Sequence, residues 1–352
     1  MKKFLFATAL TVASVAQAGS LNLDLRADHD SVTYNDEAGQ DSTNKYYFKT
    51  IRLNYEGKVN EELSFRLRAA YNKAGTATAG AGDNSQTALE FAYLTHKMSD
   101  LFSLTVGKIG SDHGAIESTT SGADLYLTSQ AYTKTGPTGG LLGQYLSTSN
   151  LLYVLGAKGT FTVTPDHNIS IIAFKVPGST ADSEASVTGL SWKGAFLDKA
   201  LKTHVSYHMG NGATNSADKH ELMSAGFVWS FSDFAAGVDF VNSSFKEDAS
   251  SEKDSVTSYI AKIAYTGLEH WTPRLEIISS EEKVETNATA ANNGTNKYMG
   301  YGAVLEYKPF TETNFRYHVA YNYTNQEVAA GTADANAQQI IVGARLYADF
   351  LK

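Results

Sequence analysis

The chain closes on QQIIVGARLYADFLK (Gln338–Lys352), in which Ile340, Val342, Ala344, Leu346 and Phe350 share one parity and polar or small residues fill most of the other. A free chain end frays and has no reason to hold a two-residue period. A terminus patterned as a strand to its last few residues therefore needs a partner. The same period recurs upstream. In NFRYHVAYNYT (314–324), Phe315, Tyr317, Val319, Tyr321 and Tyr323 alternate with Asn314, Arg316, His318, Asn322 and Thr324. LSFRLRAAYN (63–72) sets Leu63, Phe65, Leu67, Ala69 and Tyr71 against Ser64, Arg66, Arg68 and Asn72, and LNLDLRAD (21–28) sets three leucines against Asn22, Asp24 and Arg26. Each is a strand with one apolar and one wet face.

The start of the chain fixes the compartment. Lys2 and Lys3, an apolar run from Phe4 to Val15, and Ala16-Gln17-Ala18 as a small-x-small site read as a secretory signal over residues 1–18. The expected mature chain is a single domain over 19–352. Its formal balance is 27 basic against 37 acidic side chains, or −10, compared with −8 for the whole sequence. That argues against nucleic acid as a partner. With no cysteine there is no disulfide framework and no thiolate metal site. No later apolar stretch approaches the roughly 18 residues of a spanning helix.

Inside lipid only helices and closed barrels satisfy their backbone polar groups, so an exported chain of this pattern enters a membrane as a barrel. All seven arginines, Arg26, Arg52, Arg66, Arg68, Arg274, Arg316 and Arg345, fall on the parity opposite their apolar neighbours. A lipid-facing arginine near the bilayer centre costs about 2–4 kcal/mol, and one facing water costs little. Lys49 and Lys108 fall on the apolar parity, which implies either snorkelling or a local slip of register. Short polar turns near 56–62, 98–100, 164–168, 197–200, 232–233, 266–273 and 309–313 alternate with long polar segments at 29–45, 73–87, 109–150, 176–185, 210–220, 243–254, 279–297 and 325–338. The reading is an all-β transmembrane antiparallel barrel of about 16 strands, short turns at one end and long loops at the other. Strands six and seven are expected near 151–163 and 169–175. Tyr46, Tyr47, Tyr55, Tyr71, Phe102, Phe231, Phe234, Tyr265, Tyr298 and Phe310 sit near strand ends, as in girdles at the lipid–water boundary. Closure pairs the last strand with the first near residues 21–28, which gives the terminus its partner.

With its terminal strand IIVGARLYADF, the sequence resembles the general diffusion porins of the Gram-negative outer membrane, although Leu351 and Lys352 follow the aromatic residue. FSLTVGKIG (102–110) is similar to the family strand that leads into a third loop folded back into the pore, and the longest loop of this chain follows it. The resemblance implies a water-filled channel for small hydrophilic solutes and ions. It also implies a homotrimer, contacts with outer-membrane lipid and lipopolysaccharide, and insertion by the barrel assembly machinery. By position, Asp112, Glu117 and Asp124 would be loop carboxylates opposing a basic wall of Arg52, Arg66 and Arg68, with Arg26 behind. Opposed charges across a narrow watery gap favour small polar solutes. The loop lacks the family's Pro-Glu-Phe-Gly-Gly run, so these assignments rest on chain order.

Other constellations point nowhere specific. His204 and His208 would lie about 13 Å apart along a strand, too far to share an ion. Glu247, Asp248, Glu252 and Asp254 could bind calcium or bridge to lipopolysaccharide through divalent ions, but a solvated loop tip is the favoured reading. No phosphate loop, no nucleophile elbow and no cofactor motif occurs. The alternatives to a general porin are a substrate-selective channel of about 18 strands, an adhesin or structural barrel, and an outer-membrane enzyme, for which no nucleophile–base pair is evident.

Overall fold

In the computed structural model, residues 17–35, 41–74, 85–133, 148–175, 186–211, 218–248, 253–285, 294–327 and 335–351 are described. The expected signal segment lies outside these, apart from Gln17 and Ala18, which open the first strand. Sixteen antiparallel strands form one closed barrel in sequential order, β1 (Gln17–Tyr34) pairing with both β2 (Thr43–Lys58) and β16 (Ala335–Asp349). The others run β3 (Leu63–Ala74), β4 (Ser85–Lys97), β5 (Phe102–Gly110), β6 (Tyr153–Thr164), β7 (His167–Lys175), β8 (Ser186–Phe196), β9 (Leu201–Asn211), β10 (Lys219–Phe231), β11 (Phe234–Lys246), β12 (Lys253–Tyr265), β13 (Trp271–Glu285), β14 (Gly294–Tyr307) and β15 (Asn314–Glu327).

The seam answers for the terminal strand. β1 and β16 pair continuously from Asn22↔Asp349 to Tyr34↔Ala337, and the Phe350 amide donates to the Leu21 carbonyl at 2.9 Å. The ladder has no open edge, so every strand has two neighbours. Outward-facing residues form an apolar belt, and rings cluster at the short-turn rim: Phe231 near Phe234, Phe234 near Tyr265, and Trp271 4.5 Å from Tyr307. Tyr47 and Tyr298 do not join a girdle. Tyr47 pairs with Asp28 in the inward row, and Tyr298 packs against Leu127, Ile260 and Ile278 inside the barrel.

Two β-bulges shift the parity where single charged residues are inserted. On β2, Arg26 faces Thr50 and Ala27 faces Phe48, leaving Lys49 as the extra residue. This is the slip of register that its parity implied, and it places Lys49 among the inward groups around Arg26, Asp28 and Asp30. On β4, Arg68 faces Phe91 and Ala69 faces Leu89, so Glu90 is the extra residue and is 1% exposed. Lys108 differs. It lies between Ala92 and Leu155 in register, on the outward parity with Val106. The preceding glycine is obligatory: Gly107 has φ +127°, and a Cβ there would lie 2.3 Å from the Ala92 carbonyl oxygen.

The strands outrun their apolar patterning. β10–β13 continue into segments 210–220, 243–254 and 279–297 that read as loops, because cross-strand pairing goes on where the outward residues become Lys, Glu and Ser. The inner face is also less polar than its parity suggests. Ile109, Leu151, Val154, Ile172, Phe174, Val187 and Phe245 form one buried inner cluster. Strands six and seven therefore carry apolar residues on both faces, as with Ile171 outside and Ile172 inside.

Val319 lies midway along β15, 49% exposed between outward Tyr317 and Tyr321. Val319→Arg is predicted to lower folding stability by about 2–4 kcal/mol in urea unfolding from lipid bilayers. A loss below about 1 kcal/mol would place this parity in water.

Candidate functional site

After β5 the chain turns into the barrel through two left-handed residues, Asp112 (φ 53°) and Gly114 (φ 68°). It then forms α1 (Ile116–Thr119), a 3-10 turn at Gly122–Asp124 and α2 (Gln130–Thr133). Small polar residues on the inner wall receive this loop. The Ser206 hydroxyl donates to the Gly114 carbonyl at 3.4 Å, and Ser258 and Ser280 accept from the Ala131 and Gln130 amides at 3.2 Å. Asp239 accepts from the Ile116 and Glu117 amides at 3.1 and 2.7 Å, binding the unpaired N–H groups at the start of α1. Gly226 leaves room for this cap, since a Cβ there would fall 2.0 Å from the Asp239 carboxylate.

The deepest anchor is at the seam. Arg26, Arg345 and Arg316 stand in register on β1, β16 and β15, all facing inward. Like charges directly opposite one another destabilise a sheet. Here each is compensated. Arg26 donates from Nε to Asp28 at 2.9 Å and from Nη1 to the Ala123 carbonyl at 2.8 Å. Arg345 binds Asp24 at 2.8 Å. Asp124 of the loop bridges Arg316 and Arg345, the latter at 2.5 Å. Burial pushes the Asp124 carboxyl up, but the two arginines outweigh it and hold it below the usual carboxylate range. The Tyr126 ring lies beneath the Arg26 and Arg274 guanidiniums, 4.2 and 4.9 Å from its centroid, and its hydroxyl donates to Glu306 at 3.1 Å.

Next to the seam, where Arg52 of β2 stands in register with Asp24 of β1, a polar cleft of about 340 Å³ remains between the loop and the wall. Arg52, Arg66 and Arg68 line it with Phe91, Tyr153 and Lys193, and Ser118 to Gly122 form its loop side. Glu90, delivered by the β4 bulge, pairs with Arg52 and Arg68 at 2.9 Å each. Arg68 also donates to the Tyr153 hydroxyl at 2.8 Å. The Arg66 and Arg68 guanidiniums lie 4.6 and 4.1 Å from the centroid of Phe91. Arg66 donates to Asn54 at 2.7 Å and stands 3.5 Å from Glu56.

The structure brings three of the four expected wall arginines together, and it distributes the loop acids differently from chain order. Arg26 is 1% exposed beneath the loop. Asp112 lines the arginine cleft, but its oxygens are held by Lys158 at 2.8 Å and Lys193 at 2.6 Å. Burial raises this carboxyl and the two lysines overcome it, leaving it well below its ordinary range. Glu117 is buried and accepts from the Ser129 amide at 2.8 Å and its hydroxyl at 2.6 Å, bracing the loop. Asp124 sits at the seam. Across from the arginines, then, the loop presents the uncharged residues Ser118 to Gly122. Glu90, Lys158 and Lys193 complete the cleft without having been singled out in the sequence. Glu90 interrupts an apolar run in ALEFAYL, but only the bulge explains its direction.

His208 Nε2 lies 3.1 Å from the Ser111 carbonyl oxygen, so it serves the loop as well. Among the described residues no group of three or more His, Cys, Asp or Glu is placed to hold a metal, and Glu252 of the acidic cluster lies outside them.

Residues 20–350 match the family described as phosphate-selective porin O and P, and the chain belongs to that family. The barrel is similar to an anion-selective porin from Comamonas acidovorans at TM-score 0.69 and 11% identity, over 94% of this chain and 99% of that one. It is also similar to the outer membrane channel DcaP of Acinetobacter baumannii (TM-score 0.64, 12% identity, 94% and 97%). A trimer form of the outer membrane protein OmpT of Vibrio cholerae matches at TM-score 0.59 and 14% identity, over 94% and 100%. No curated protein matches the sequence. Fold and family together define an outer-membrane channel and point away from an enzyme. Sixteen strands among the described residues also set aside an 18-stranded barrel.

Asp124→Asn leaves Arg316 and Arg345 abreast with one counter-charge fewer. It is predicted to cost roughly 3 kcal/mol of stability and to raise open-channel current noise as the loop tip loosens. Unchanged stability with a quiet trace would remove Asp124 as the anchor.

Proposed function

We propose that the chain forms a passive channel for small hydrophilic anions, with the arginine–lysine cleft as its constriction and selectivity element. The observation that carries this is the charge count around the cleft. Arg52, Arg66, Arg68, Lys158 and Lys193 oppose three carboxylates in ion pairs, those of Glu90, Asp112 and Glu56, the last 3.5 Å from Arg66. Glu90 and Asp112 are each shared between two cations, which leaves a net excess of positive charge even with Glu56 beside Arg66. An excess of fixed positive charge in a narrow, low-dielectric passage raises the local anion concentration and repels cations.

The family description and the anion selectivity of the Comamonas neighbour support an anion over a non-specific diffusion path. Phosphate is the substrate class that the family description suggests. Chemically, a bare oxyanion can exchange its hydration for the guanidinium and ammonium donors that line the cleft. A trimeric assembly is supported by the trimer form of the Vibrio neighbour. Its site per chain is complete without a partner.

In planar bilayers under a salt gradient, the wild type is expected to give a reversal potential of the sign for chloride. Arg66→Ala with Arg68→Ala is predicted to shift it toward the cation side. An unchanged potential in the double variant would take both arginines out of the selectivity element.

A further inference from the structure

We infer that the arginine cleft, taken as the anion path proposed above on which this reading rests, is shaped for a small aromatic carboxylate, with Arg66 holding the carboxylate and the ring lodged among Tyr132, Leu152 and Tyr153. An unspent guanidinium edge and the apolar lining beside it carry this reading.

The three arginines of the wall are spent to different degrees. Arg52 brings Nε and Nη2 to 2.9 and 3.3 Å from Glu90. Arg68 brings Nε to 2.9 Å from Glu90 and donates from Nη2 to the Tyr153 hydroxyl at 2.8 Å. Arg66 uses Nε alone, toward Asn54 at 2.7 Å and Glu56 at 3.5 Å, and among the described residues its Nη1 and Nη2 meet no acceptor. Its side chain is also the most exposed of the three, at 29% against 11% for Arg52 and 17% for Arg68. The two terminal nitrogens of a guanidinium form a planar fork that pairs bidentately with a carboxylate. Phe91, its ring centroid 4.6 Å from the Arg66 guanidinium, steadies that fork.

The lining selects the rest of the solute. A hydrated oxyanion gains nothing from apolar surface and loses water against it. Yet Phe91, Tyr132, Leu152 and Tyr153, all half-buried, line this cleft together with its cations. They arrive from separate parts of the chain. Phe91 follows the bulge in β4, and Leu152 and Tyr153 stand at the start of β6. Tyr132 comes on α2, whose Gln130 and Ala131 amides are held by Ser280 and Ser258. Wall and loop thus present rings and apolar side chains to one opening. Its volume of about 340 Å³ falls within the range of about 300–1,000 Å³ found for sites that take organic ligands. An aromatic carboxylate uses both features, because its head is coplanar with its ring and the molecule enters as a flat plate. An aliphatic acid of the same charge leaves the rings unused.

The test uses the full-length folded channel in planar bilayers bathed in potassium chloride. Benzoate or acetate is added, and the concentration that halves the chloride current is recorded. Benzoate is expected to act at an about fivefold lower concentration than acetate, the size of one aromatic contact. Tyr132→Leu is expected to reduce that ratio by roughly twofold or more, and Arg66→Gln to raise the halving concentrations of both acids. The wild-type ratio is decisive even where a variant inserts poorly. An anion-selective wild type blocked equally by benzoate and acetate would overturn the aromatic site while the anion path stood. A cation-selective wild type would overturn both. A benzoate preference left intact by Tyr132→Leu and by Leu152→Asn would put the ring outside this cleft and overturn the site.

Discussion

Like charges set side by side on neighbouring strands demand a counter-charge, and at the barrel seam that demand organises the interior. Arg26, Arg345 and Arg316 are brought abreast by the pairing that closes β1 on β16 and β15 on β16. The wall supplies Asp24, Asp28 and Glu306, the last 3.5 Å from Arg316 and shared with Arg274, and the loop adds Asp124 and the carbonyls of Ala123 and Leu125. Barrel closure and loop docking are thus one event. A row of cations that no open sheet would tolerate becomes the clasp that draws the loop across the lumen.

Where the loop goes decides where the channel is. The loop leans on Ser206, Asp239, Ser258 and Ser280 of β9 to β13 and on the arginines of the seam. This fills the β9 to β13 side of the lumen, covers Ile172 and Val187 of β7 and β8, and leaves the cleft beside Arg52, Arg66 and Arg68. Two bulges shape what remains. One inserts Glu90 between Arg52 and Arg68, fixing both guanidiniums, and the other turns Lys49 inward beside the clasp. Phe91, one residue past the bulge, lies against Arg66 and Arg68 at once. Cation–ring attraction of this kind is worth about 0.5–2 kcal/mol, enough to hold two mutually repelling groups on one wall.

The barrel itself was legible because its two environments differ so sharply that every strand records them. Leu21, Leu23 and Leu25 against Asn22, Asp24 and Arg26 is a local fact, and so is the alternation of short turns with long loops. Pairing beyond the belt was not legible, since Lys246 and Lys253 look like loop residues when no apolar partner alternates with them. Nor were the inner apolar residues, because Ile172 faces the loop cluster while Ile171 faces lipid, and the two-residue period disappears. The candidate site was half legible. Arg52, Arg66 and Arg68 share a wall by strand adjacency, which sequence order predicts. The partners of Asp112, Glu117 and Asp124 depend on the path of a loop through three dimensions, which spacing along the chain does not encode.

The inward course of the loop is the claim on which both the clasp and the cationic cleft rest. The sequence contains no cysteine, so a single thiol can report on it without background. Thr119 is exposed on the cleft side of the loop and can carry that thiol. In single-channel recordings of Thr119→Cys, a bulky thiol-reactive reagent is expected to produce a stepwise drop in conductance that a reductant restores. Full modification with no change in current would put the loop outside the pore.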